Sequence, residues 1–388
     1  MFELLQFIFW FCIALIVHTY VIYPMLMLLV FRQEGVKLQE YEHQEELPDL
    51  SVLIAAYNEE KVIVEKIHSV FNSAYPSSKI HIVVGSDAST DATDRLVDEL
   101  RGRYPNLQLV RFAGRVGKIG IMNRLVQEHG KNILVLTDAN VMFKHQTLYQ
   151  LVKWFKDERV GLVAANIIKE SKNNDGIGFQ EKKYLSFENL IKAAESKAFQ
   201  LIMGAEGGCY ALRKSLFVPV PSNFIVDDFF ITFKVLNSKK FAMFSPGAEC
   251  TEDVNSNASG EYRRKVRISS GNFQNLLHFR NNLWPIWKAK TFVFWSHKVL
   301  RWLTPFLILL AAICSYFLSM NSLFFIVLFY LQVFGLLLPW LNRMIKFKNP
   351  ILKFASHFYL MNLALLQGFF RFLRGIKSSV WQPVERNV

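Results

Sequence analysis

Two acidic pairs in this 388-residue chain could supply a proton acceptor. VDDFF carries Asp227 and Asp228 between apolar residues, whereas TEDVN carries Glu252 and Asp253 in a stretch rich in Asn and Ser. A carboxylate that must take a proton from a hydroxyl works best partly desolvated on a rigid element, which favours Asp228. The same five residues also suit a plain helix start with acids in its first turn.

Three more polar clusters each follow an apolar run. Tyr57, Asn58 and Glu59 come after LSVLIAA, Ser86, Asp87 and Asp91 after KIHIVVG, and Asp138 and Asn140 after NILVLT. Any one of these reads as a turn or a helix cap. Three on one edge of a sheet suggest a nucleotide held across it, with Asp87 accepting from a base N–H and Asp138 near phosphates. AGRVGKIGIMN (113–123) adds glycines and Lys118 before a helix, a weak phosphate signal that lacks the Walker A spacing. Arg264 and Arg267 in EYRRKVRISSGNFQ share a helix face and suit a diphosphate, while Arg263 and Lys265 beside them suit lipid headgroups.

The elements that must position these residues alternate. Strands are expected over 50–57, 79–85, 107–112, 132–138 and 161–166, with helical patterns between them, the signature of a largely parallel sheet with crossover helices. The first helix is expected directly after an Asn58 N-cap, with Ile63, Ile67, Val70 and Phe71 on its buried face. The stretch from Tyr184 to Phe199 reads as an amphipathic helix, either lining an acceptor or packing on the core.

At 52% hydrophobic residues with 35 Phe, the chain is more apolar than a soluble domain requires, and the excess is concentrated at its ends. Residues 4–31 hold no Asp, Glu, Lys or Arg, which predicts one N-terminal span too long and too weakly cleavable for a signal peptide. Trp302 to Asn342 is equally uncharged and is split at 319–322, which predicts two more spans. Residues 351–373 contain Lys353, His357, Asn362 and Gln367 and are expected to lie in the interface or re-enter. Nine Lys/Arg against one Glu in 261–301, and eight against one from 343 on, account for the net charge of +13. The basic excess thus flanks the membrane segments, as it does on a cytoplasmic side, and a nucleic-acid partner is not indicated. Four scattered cysteines give neither a disulfide framework nor a metal spacing.

SVLIAAYNEE, SDASTDAT, GRVGKIGIMN, TDAN, GAEGGCYALRK, VDDFF and RRKVRISSGNFQ occur in the order seen in glycosyltransferase family 2, which the chain resembles over about residues 48–280. The flanking membrane segments are similar to those of membrane-bound bacterial members that make exopolysaccharide. The resemblance implies an α/β fold of GT-A type: a Rossmann-like, mostly parallel cytoplasmic domain at 46–290. Around it stand an N-terminal anchor at 1–35, two to three C-terminal membrane helices at 296–375 and a basic tail at 376–388. It implies a multi-pass protein of the inner (plasma) membrane that moves a sugar with inversion, from a nucleoside-diphosphate sugar to a lipid-linked or glycan acceptor. A processive synthase-translocase and a non-catalytic assembly subunit are the alternatives.

By the same resemblance Asp228 is the general base. Ala56, Asn58, Glu59, Asp87, Lys118, Asn123, Asp138, Arg264 and Arg267 would bind the nucleotide sugar. Asp138 and Asn140 would hold a divalent cation, Mg2+ or Mn2+, and Gly204, Glu206, Gly207 and Asp227 would face the acceptor. Glu252 and Asp253 lie too near Arg264 to be the family's base. The chain departs from the family at Ser86 for an acid, Asn140 for the last acid of DxD, and Arg264 and Ile268 for the Gln and Trp of QxxRW.

Overall fold

The computed structural model describes residues 1–30, 35–42, 44–170, 177–253 and 258–376, so the expected basic tail lies outside them from 377 on. Two compact units result, residues 30–256 and residues 1–29 with 257–375.

The first unit is built on one sheet of eight strands: β1 (Leu50–Ala56), β2 (Ile80–Ser86), β3 (Leu107–Arg111), β4 (Ile133–Asp138), β5 (Val141–Phe143), β6 (Val160–Glu170), β7 (Cys209–Arg213) and β8 (Phe241–Asp253). Their order is β3-β2-β1-β4-β7-β6-β8-β5. The first four strands are parallel, and β1 and β4 are buried along nearly their whole length because helices cover both faces. The sheet is mostly parallel as expected, and beyond β4 it becomes mixed. β7 runs antiparallel to both β4 and β6, and β5 antiparallel to β8, while β6 and β8 are parallel. This reversal positions the site. The start of β7 pairs Cys209 with Thr137 at the end of β4, so Gly207 and Gly208 arrive beside Asp138. The end of β8 likewise pairs Glu252 with Val141 just past Asn140.

The helix after β1 spans Ile63–Phe71 and begins later than the sequence suggested. Its N-cap position is Val62, and Asn58 instead adopts φ 52°, a left-handed conformation that Asn tolerates because its short amide can bond locally. Ile63, Ile67 and Val70 are completely buried on the core face, each contributing about 1.5–3 kcal/mol by the usual transfer scale. Lys66 is buried with them. Helix Gly117–His129 starts on a residue at φ 75°, which Gly supplies without a Cβ clash. Helix Ile177–Phe199 corrects the amphipathic reading: Glu188, Lys192 and Glu195 are buried, while Phe187 and Leu190 are exposed.

Among the described residues three helices, all in the second unit, are long and apolar enough to cross a membrane: Phe2–Leu29, Ala289–Ser319 and Leu323–Ile345. The break expected at 319–322 is the one seen. Phe9 and Cys12 pack with Ala311, Cys314, Leu318 and Phe325, and Phe9 meets Phe325 edge to face at 5.4 Å. Pro350–Leu373 is a single 24-residue helix, begun by Pro350 at its first position and by the Asn349 side chain, which accepts from the Ile351 and Leu352 N–H groups. Helix Ala258–His278, expected inside the catalytic domain, packs here: Ser269 Oγ donates to Leu365 O at 2.9 Å and Tyr262 OH to Gln367 at 2.9 Å.

Candidate active site

At the carboxyl ends of β1 and β2 the chain ties its own loops together. The Asp87 N–H donates to Ala56 O at 2.9 Å, and the Asp87 carboxylate, 1% exposed, accepts from Arg115 Nε at 2.9 Å, Val116 N–H at 2.7 Å and Gly117 N–H at 3.1 Å. Asp87 therefore shapes the turn into helix Gly117–His129, and the Arg115 guanidinium lies 3.3 Å over the ring of Tyr57. Asn58 accepts from Thr90 N–H at 2.8 Å, and the Glu59 N–H donates to Thr93 Oγ1 at 2.8 Å, which stitches the β1 end to the β2 loop. Asp91 spends its oxygens on Glu60 N–H, Thr93 N–H and Thr93 Oγ1, an Asx-type turn that leads into the next helix.

The second cluster gathers at Asp138. Lys118 Nζ donates to Asp138 Oδ1 at 2.6 Å and to Gly207 O at 2.8 Å. Burial opposes the Lys118 charge, yet the carboxylates of Asp138, Asp227 and Asp228 outweigh it and hold its pKa above the ordinary value. On the far side of Gly207 stands Asp228, second residue of helix Asp227–Asn237. A Cβ added at Gly207 would lie 3.0 Å from Asp228 Oδ2 and 3.5 Å from Lys118 Nζ, so any larger residue would press on the Asp228 carboxylate. Asp228 accepts from Phe229 N–H at 2.6 Å and from the Gly207 N–H. Burial first, and then the adjacent Asp227 charge, push its pKa up to about 7, against the pull of Lys118. Lys118, Asp138, Gly207, Asp227 and Asp228 thus form one site. Gly204 and Glu206 lie just before it in the chain, Gly204 against the Phe229 ring and Glu206 3.5 Å from Lys192.

Other expected residues fall elsewhere. Asn123 gives its whole amide to Val220, donating to the carbonyl at 2.8 Å and accepting from the N–H at 3.0 Å, so it fastens a helix to a loop. Arg264 and Arg267 stand on helix Ala258–His278 of the membrane-helix unit, with Arg264 3.4 Å from Glu261. Sequence reasoning also set aside one residue at the Asp138–Asn140 turn and passed over another. Glu252, dismissed as a base, accepts from Asn140 Nδ2 at 3.3 Å and pairs with Lys169 at 3.3 Å. Lys66 lies beneath the same turn, and its signal was visible: a lysine on the stripe of Ile63, Ile67 and Val70.

Among the described residues no three His, Cys, Asp or Glu side chains form a metal cage. One carboxylate at Asp138, with the carbonyl oxygen of Asn140 as a neutral donor, fits a cation held mainly by the phosphates it accompanies, the common pattern for Mg2+ and Mn2+. A recess of about 370 Å³ opens between helix Ile177–Phe199 and strands β6 and β8, lined by Asn166, Lys169, Asn189, Leu190 and Phe244 among others.

Residues 51–218 match the model of Glycosyl transferase family 2. The chain is 27% identical over 299 residues to the probable glycosyltransferase YdaM of Bacillus subtilis, covering 74% of this chain and 69% of that one. It is 24% identical over 296 residues to poly-beta-1,6-N-acetyl-D-glucosamine synthase of Staphylococcus epidermidis, covering 72% and 69%. A shorter stretch of 124 residues is 32% identical to beta-monoglucosyldiacylglycerol synthase of a Nostoc species, covering 31% of this chain and only 26% of that enzyme. In fold it is similar to the mannosyltransferase PcManGT of Pyrobaculum calidifontis, solved with GDP-Man and Mn2+, at a TM-score of 0.71 and 21% identity over 94% of this chain and 99% of that one. Residues 51–218 thus carry a glycosyltransferase family 2 domain, the fold is of GT-A type, and the chain is similar to glycosyltransferases that include an exopolysaccharide synthase and, over a shorter stretch, a glycolipid synthase.

Proposed function

We propose that this enzyme moves one sugar, with inversion, from a nucleoside-diphosphate sugar to a lipid-linked or glycan acceptor in cell-surface polysaccharide synthesis, with a uridine diphosphate sugar the first donor to test. The observation that carries this reading is Asp228, a carboxylate whose pKa is about 7 and which stands across Gly207 from Lys118 and Asp138. A base near neutrality can take a proton from a sugar hydroxyl and still be regenerated at cellular pH. The deprotonated oxygen attacks the anomeric carbon from the side opposite the diphosphate, the C–O bond to the diphosphate breaks, and the configuration inverts.

Negative charge grows on the leaving diphosphate. Lys118 is the cation proposed to meet it, together with Arg264 and Arg267. Asp138 and Asn140 would hold a divalent cation, whose chemistry is to neutralise that leaving group. The tied loops around Asp87 and Tyr57 are proposed to hold the nucleoside. The recess beside β6 and β8, with its polar and apolar walls, is proposed to take the acceptor. The basic flanks favour a cytoplasmic catalytic unit in a plasma membrane. A processive reading draws support from the relationship to the poly-N-acetylglucosamine synthase, but Ile268 stands where such synthases offer a Trp to the growing chain.

The test is mass spectrometry of products from purified full-length enzyme given a panel of nucleotide sugars and a lipid extract. One added hexose on a lipid is the expected result, a ladder of masses turns the reading to a polymerase, and neither transfer nor donor hydrolysis with any sugar overturns it. Two further outcomes follow from the geometry. Because the base acts only as carboxylate, kcat should rise with pH and reach half its plateau near 7; a rate flat from about pH 5.5 to 8.5 would move the base elsewhere. Gly207→Ala puts a methyl group 3.0 Å from Asp228 Oδ2, so kcat should fall on the order of 10- to 100-fold with the melting temperature nearly unchanged.

A further inference from the structure

Lys66 has no part in the chemistry above, yet it is the most completely buried cation near the site. Its side chain lies on the core face of helix Ile63–Phe71 and is 0% exposed. An ammonium withdrawn from water is costly unless its donors are satisfied, so its partners show what the cost maintains. Nζ donates to Thr137 Oγ1 at 2.9 Å and to the Val141 carbonyl, and it sits 3.6 Å from the centre of the Phe143 ring. Thr137 immediately precedes Asp138, and Val141 immediately follows Asn140. One cation therefore grips both ends of the turn that carries the two residues.

The grip extends to the neighbouring strand. Thr137 Oγ1, while accepting from Lys66, donates to Gly208 O at 2.9 Å, and the same carbonyl accepts from Asp138 N–H at 3.0 Å. Lys118 holds Asp138 and Gly207 O from the other side of the turn. We propose that Lys66 is a positioning residue for the Asp138-Ala139-Asn140 turn, fixing from beneath the geometry in which these side chains meet a cation and the diphosphate it accompanies. The proposal rests on reading that turn as the diphosphate end of the donor site. Burial lowers the Lys66 pKa to about 8, partly restored by Cys209, Cys250 and Asp138, so the ammonium persists at neutral pH.

Lys66→Met keeps the length of the stem and removes its donors. Full-length native and variant enzyme are titrated calorimetrically with UDP and with GDP, in Mn2+ and in EDTA, well below their melting temperatures. Residues that orient metal ligands from behind are worth about 10- to 100-fold in metal affinity, so the Mn2+-dependent gain in nucleotide affinity should shrink by at least about tenfold. Affinity in EDTA should stay within about twofold of native. A variant that melts earlier but keeps the full Mn2+ gain has lost only a structural contact, and the proposal falls. Where Lys66→Met does not fold, Thr137→Val removes one of the two bonds from outside the helix and should reduce the same gain, and an unchanged gain again overturns the idea. Asp138→Ala separates the two levels. If it too leaves the Mn2+ gain intact, the donor-site reading of the turn is wrong and takes the role of Lys66 with it; if it abolishes the gain while Lys66→Met does not, only the role of Lys66 fails.

Discussion

Asp228→Asn should bind nucleotide sugar as the native enzyme does and transfer almost none of it. The substitution keeps the shape and can keep the Phe229 N–H bond through its amide oxygen, since only one of the two carboxylate oxygens is replaced by an NH2 that cannot accept. What it removes is the one atom able to take a proton, and general-base catalysis of this kind supplies about 10²- to 10⁴-fold. Donor affinity should hold or improve slightly, since a carboxylate facing a diphosphate is lost and Lys118 is left with fewer anions to satisfy. The measurement is a pair: calorimetric donor binding, and initial transfer rate at pH 8, where the native carboxylate is ionised. Transfer within tenfold of native would reassign the base, with Asp227 the first candidate because it adjoins the site and is itself buried. The neighbour also adds to the effect of burial on Asp228. Two adjacent carboxylates in a desolvated position cannot both ionise freely, and the strain falls on Asp228 as a raised pKa.

How far the sequence could be read depended on the range of the interactions involved. β1, β2 and β4 were legible because each is a local apolar run bounded by turn residues and buried within the sheet, and the partly exposed edge strand β3 by its place in the alternation. β5 has three residues, β7 five, and β8 is interrupted by Pro246-Gly247, so none carries a periodic signal long enough to stand out. Their pairing is also non-local: Thr137 meets Cys209 and Val141 meets Glu252, contacts that no window of neighbouring residues contains. The same limit shaped the site. Asp138 and Lys118 stood out by type and context, but their bond to each other and to Gly207 O arises only when β7 turns back along β4. Asn58 was misplaced as a cap because an Asn ending a strand suits a cap and a left-handed turn equally well. Lys66 and the inward charges of helix Ile177–Phe199 were obscured by the general rule that long charged side chains face water, a rule that fails where a polar partner waits inside.

The second large effect concerns Asp138. In Mn2+, Asp138→Ala should weaken nucleotide binding on the order of 100-fold, because even residues behind a metal ligand are worth about 10- to 100-fold and this one is proposed to touch the ion. In EDTA the order should reverse. Native Lys118 is held by Asp138 Oδ1 at 2.6 Å, and removing that carboxylate leaves the ammonium with Gly207 O alone from this pair and free to turn to a phosphate. The variant should therefore bind UDP or GDP as well as native enzyme without a cation, or severalfold better, since one negative charge has also left the site. Asn140 cannot rescue cation binding alone, because its carbonyl oxygen is a neutral donor and lacks the charge that Asp138 supplies. Titrating each nucleotide into both proteins, with and without Mn2+, gives four affinities whose pattern decides the question. Parallel losses in Mn2+ and EDTA would make Asp138 a structural anchor for Lys118, whereas curves that cross between the two conditions are the mark of a carboxylate that serves the lysine when no cation is bound and the cation when it arrives.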